Sequence, residues 1–243
     1  MPLPGVLASG YNAPAGGGLV AALAASGAQG FDTGTDTGFV SSSFSPGANC
    51  ALVLLIGCQA GTADPLGAAH TVVSSGSGPT WSKLIAPSSL SNKATTGIWT
   101  ATLTGDPGAF TVTADWAGAI VTGMYAFSIH KFTGHNTGTP FGGKLANTNQ
   151  TGDGALSPTL DAAPTVNDIT VALAIADVGS VGGASTFGAG TWTNTGGGSA
   201  APDVSWNTGY RTGSTSTSVP WTDVNGGDGS FSSAQCALVV KAA

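Results

Sequence analysis

The sequence predicts an all-β protein: an antiparallel two-sheet sandwich, jelly-roll-like and of about ten strands, built from two similar halves behind an N-terminal extended arm. Three observations carry this. The chain of 243 residues holds 39 Gly and 13 Pro, and all 12 acidic residues are Asp; Asp and Gly serve turns, whereas the missing Glu serves helix interiors. Apolar and polar residues alternate, with Phe110, Val112 and Ala114 set against Thr111 and Thr113, as in a strand with one buried and one wet face. The third observation is a repeat. Residues 46–61 (PGANCALVLLIGCQAG) and 164–179 (PTVNDITVALAIADVG) share a Pro, an Asn three places on and a Gly twelve places after the Asn. Three tryptophans follow each copy, Trp81, Trp99 and Trp116, then Trp192, Trp206 and Trp221, and an apolar run ending in Lys131 or Lys241 closes each set. Matching landmarks lie 105 to 118 residues apart, so two halves that differ in loop length account for the pattern.

In chain order, residues 1–36 stand outside the duplication as an arm. Residues 19–25 (LVAALAA) offer two helical turns between glycines, a nucleus too short to stand alone, so the arm reads as extended or partly helical. Strands follow at 39–44, at 50–57 (apolar throughout, suited to a central strand buried on both faces), at 80–85, at 95–103, at 110–114 after the turn GDPG, and at 121–132. Residues 133–153 are polar and turn-rich and read as the loop between halves. The second half (154–243) repeats the order at 155–160, 169–176, 190–195, 204–212, 215–221 and 234–241. One sandwich domain over 37–243 is favoured over two smaller ones, since no long linker separates the halves. The tryptophans recur every 14 to 18 residues, one per hairpin, and are expected in the core.

Composition narrows function. Net charge is −6 with six scattered basic residues, which argues against nucleic-acid binding. The N-terminus does not resemble a secretion signal, and the apolar run 51–56 is too short to span a bilayer; synthesis in the cytosol without membrane insertion is the expectation. Cys50 and Cys58 lie eight residues apart on one strand, about 26 Å at strand rise, so they and Cys236 read as buried free thiols. His130 shares the parity of Ser128, opposite Phe127 and Ile129, and reads as facing water. No HExxH, GxSxG, CxxC or phosphate-loop motif occurs, and the usual Glu acid of glycosidases is absent, so neither enzymatic activity nor a cofactor is expected. Asp32 with Asp36, and Asp223 with Asn225 and Asp228, are weak calcium candidates; turn chemistry explains both without a metal.

The segments IWTATL, GDPGAFTVTADW, the strand ending FTG (132–134) and LSPTLDAAPTVNDITVALAIA together resemble jelly-roll-like modules in virion proteins of tailed bacteriophages, over residues 38–243. The resemblance implies a structural role in the virion, as a capsid decoration or minor head or tail protein. It also implies major capsid or other virion proteins as partners, and a homo-oligomer. In that reading Val6, Leu7, Leu19, Val20 and Leu23 of the arm supply anchoring contacts. The alternative is a carbohydrate-binding module of a phage tail fibre or cell-surface protein, with exposed Tyr210 or Trp221 stacking on sugar beside Asp223 and Asn225.

Overall fold

The two apolar runs of the repeat become the middle strands of two five-stranded antiparallel sheets. The computed structural model describes residues 18–31, 36–60, 71–85, 94–120, 123–151, 157–177, 186–188, 192–200, 204–222 and 232–243. These contain fifteen strands. The first half supplies β1 (Val20–Phe31), β2 (Asp36–Val40), β3 (Cys50–Ala60), β4 (Thr71–Ser74), β5 (Ser82–Ile85), β6 (Ala94–Leu103), β7 (Val112–Ile120) and β8 (Gly123–Thr133). The second supplies β9 (Phe141–Thr151), β10 (Ile169–Asp177), β11 (Thr186–Phe187), β12 (Trp192–Ala200), β13 (Val204–Thr212), β14 (Trp221–Thr222) and β15 (Ser232–Val240).

The large sheets run β1-β8-β3-β6-β5 and β9-β15-β10-β13-β12, the same order strand for strand. The small sheets are β2-β7-β4 and β11-β14, and a bridge between Thr159 and Ser218 stands where β2 meets β7 in the first half. First strand beside eighth, second beside seventh and third beside sixth is the winding of a jelly roll. The sandwich fold and its internal repeat are therefore as the sequence predicts. The layering is deeper than two sheets. One core lies between the first small and first large sheets (Phe39, Phe110 and Val112 on Leu52, Leu54 and Trp99). A second joins the two large sheets (Val53, Leu55 and Ile98 on Val171, Leu173 and Leu238). A third lies under the second small sheet (Phe187 and Trp221 on Ala172 and Ala174).

Two boundaries need correction. Residues 20–31, read as part of an arm, form β1 and pair along their length with β8; an open strand edge outcompetes a two-turn helix that has no face to bury. Residues 141–151, read as a connecting loop, form β9 against β15. Each half thus begins one strand earlier than its apolar content suggests, because an edge strand is paired on one side only and tolerates Gly, Asn and Thr. The tryptophan landmarks also divide. Trp81 precedes β5 and Trp192 opens β12, and both pack in the outer cores. Trp99 faces the first outer core and Trp206 the seam between the large sheets, so those two are not equivalent.

Entry into the central strands differs between halves. Asn49 adopts φ 52° before β3, a left-handed conformation that Asn tolerates better than most side chains. Before β10 the buried Asp168 accepts from the Thr165 amide at 2.8 Å and from the Ala242 amide at 3.0 Å, which ties the strand entry to the C-terminus.

Candidate functional site

The seam between the large sheets gathers a hydroxyl and imidazole cluster among the described residues. On β8, Ser128 and His130 alternate with Phe127 and Ile129, and on β13 Thr208 faces them. The Thr208 hydroxyl donates to the Ala172 carbonyl at 3.1 Å, which leaves its oxygen free to accept. Ser128 Oγ lies 2.8 Å from it and His130 Nε2 3.2 Å. With the Thr208 proton so placed, both neighbours donate, which assigns the His130 proton to Nε2. His130 Nδ1 has no partner among the described residues, and burial pushes the imidazole pKa down to about 3. The expectation that His130 faces water is therefore corrected. Its parity is as read, but that face of β8 is covered by the second half. A hydroxyl beside an imidazole is nucleophile chemistry only where a substrate can enter, and Ser128, His130 and Thr208 are all 0% exposed. Here the cluster fastens the two halves.

The second concentration of polar chemistry is around Arg211, the chain's one arginine. From β13 its guanidinium donates to the carbonyls of Ser218 at 2.8 Å and Ser216 at 2.6 Å. It also stands 5.1 Å over the Trp192 ring, which itself stacks on Phe187 at 4.7 Å. Burial lowers the Arg211 pKa, yet the paired carbonyls hold the cation in place. Arg211 closes the sparse small sheet of the second half. Sequence reasoning missed it, although a lone arginine two residues before a Gly/Ser/Thr-rich turn was a readable signal.

Of the residues expected to bind partners, three are described, at the start of β1. Val6 and Leu7 lie outside the described residues. Leu19 packs against the seam, Leu23 pairs with His130 within β1, and Val20 is 54% exposed at the start of that strand. Of the proposed sugar platform, the two described rings are not presented to solvent as expected. Trp221 is 0% exposed in the third core, since the alanine face of β10 leaves a space that its ring fills. Tyr210 packs toward the opposite face of the same sheet, at the seam. Asp32, Asp223, Asn225 and Asp228 lie outside the described residues, and among those described no three His, Cys, Asp or Glu side chains group as a metal site. The three cysteines form no disulfide and are buried, as expected; burial raises the thiol pKa to about 11 at Cys50 and about 12 at Cys236.

What the described surface offers instead is apolar patches and strand edges. On the outer face of β2-β7-β4, Val40 and Val73 flank Thr113 in one cross-strand row and are 63% and 52% exposed. The large sheets end in β1 and β12, which lie near each other, and at their other edges in β5 and β9. Comparison with known protein families, curated proteins and solved structures finds no match to this chain.

Proposed function

We propose that the chain is a non-enzymatic structural component of a bacteriophage particle, a capsid decoration or minor head or tail protein. The observation that supports a structural role is the duplicated winding fused through a buried seam. Both faces of the central strands β3 and β10 lie inside the molecule, and Ser128, His130, Thr208 and Arg211 hold its layers together. The result is a rigid block whose outer small sheet carries the apolar row Val40–Thr113–Val73, a surface suited to lying against a shell. The phage particle as the setting rests on the sequence resemblance alone.

The test is co-sedimentation and light scattering of the purified protein with candidate shells. The reading expects saturable binding that is lost in the Val40→Asp/Val73→Asp variant. Absence of binding to any shell, together with a defined hit on a glycan array, would replace it with the carbohydrate-binding alternative.

A further inference from the structure

The four edges of the two large sheets are not equally open. β9 is closed near its middle: the Lys144 amide donates to Asp161 Oδ1 at 2.7 Å, and the Lys144 carbonyl accepts from the Asp161 amide at 3.0 Å. Beside it, β5 is four residues long and carries an exposed lysine, Lys83. On the opposite side β1 runs for twelve residues and β12 for nine, without a charged residue or a proline in either. Among the described residues, nothing pairs with the outer edge of either strand. The two edges are neighbours across the seam: a Cβ built on Gly196 would lie 3.3 Å from Ser26 Oγ. A bulge interrupts β1 between Leu23 and Ala25, but Ala25 to Phe31 pairs residue for residue with β8 and is regular. Charge, proline and a covering segment are the usual devices that stop an edge from recruiting another strand. The side bearing β5 and β9 has two of them, and among the described residues the regular stretch of β1 has none.

The geometry points to β1 as a self-association edge, where a second copy of this chain pairs its own β1 antiparallel across a two-fold axis and continues the five-stranded sheet into a ten-stranded one. A second copy is the fitting occupant because backbone pairing reads no side chain, and an isologous contact needs only that an edge be complementary to itself. The neutrality of β1 makes it so, since no like charges meet across the axis. The inference stands on edge geometry and not on the particle reading.

The three native thiols are buried, so new cysteines report without background. Light scattering on the full chain should give twice the chain mass. Ala22→Cys, Ala24→Cys, Ser26→Cys and Ala28→Cys, tested singly under mild oxidation, should give a covalent dimer at the position nearest the axis, while Ser82→Cys on β5 stays monomeric on a denaturing gel. Amide exchange across β1 should slow as protein concentration rises. A monomer at all concentrations overturns the inference, as does a dimer in which every β1 cysteine stays unlinked. A β1-linked dimer that binds no shell overturns the particle reading alone, and a shell-bound monomer overturns this one alone.

Discussion

β3 and β10 hold the same place in the two halves and distribute their bulk in opposite directions. Toward its outer core β3 sends Leu52, Leu54 and Ile56, and toward the seam Ala51, Val53, Leu55 and Gly57. At the matching positions β10 sends Thr170, Ala172 and Ala174 outward, and Ile169, Val171, Leu173 and Ile175 toward the seam. Each deficit is met from across a layer. Trp221 and Phe187 fill the space over the alanines of β10, and Gly57 leaves room for Leu173 and Ile175, whose side-chain atoms would lie 2.7 and 3.1 Å from an added Cβ. A duplicated strand therefore needs to keep its alternation and its entry turn, while the size at each position follows whatever packs against it. The halves also close their outer layers differently. The first uses a three-stranded ladder, and the second, among the described residues, a two-stranded one with a single bridge, pinned by the Arg211 guanidinium.

The comparison breaks most severely at Trp221. Trp221→Ala should cost about 3–5 kcal/mol in urea unfolding, because the alanine face beneath has nothing with which to fill the cavity. Adding Ala172→Leu should restore part of that loss. Arg211→Met should cost about 2 kcal/mol, since it removes two charge-assisted hydrogen bonds to the carbonyls of Ser216 and Ser218. Thermal unfolding across pH sharpens the reading of the seam. The folded pKa of His130, about 3, lies below the ordinary imidazole value of 6.5, so its contribution is complete above pH 6.5 and is lost as pH falls toward 3. His135, lowered by burial in the same direction, adds to that acid sensitivity. The melting temperature should fall over this window, and His130→Gln should flatten the fall; an unchanged slope would remove His130 from the account. The smallest effect is expected for Gly57→Ala, about 1 kcal/mol, from crowding against β10. Ile175→Val should offset it in a double-mutant cycle.

Much of this fold was legible in the sequence, because two signals are local. The repeated Pro, Asn and Gly bracket marks both central strands, and an unbroken apolar run such as Cys50 to Ile56 announces burial on both faces. The edges were not legible. β1 is rich in Ala and Leu and mimics a short helix, and β9 is rich in Gly, Asn and Thr and mimics a loop; neither needs a strongly apolar face, since β8 and β15 supply the ladder. Parity placed His130 on the correct side of β8, but alternation along one strand carries no information about a sheet that arrives from the other half. The same limit hid the burial of Trp221. An aromatic residue beside Asp and Asn reads equally as a sugar platform or as a plug, and the alanines that decide between them lie some fifty residues earlier, in β10.

The central claim is that two equivalent windings share one seam and so fold as one unit. Native-state hydrogen exchange under increasing denaturant tests it most directly. The amides of Cys50–Ala60 and Ile169–Asp177 should be the slowest in the molecule and should merge onto a single opening transition with the same free energy. If one central strand opened at markedly lower denaturant while the other stayed protected, the halves would be independent sandwiches, and the seam of Ser128, His130 and Thr208 would not be what joins them.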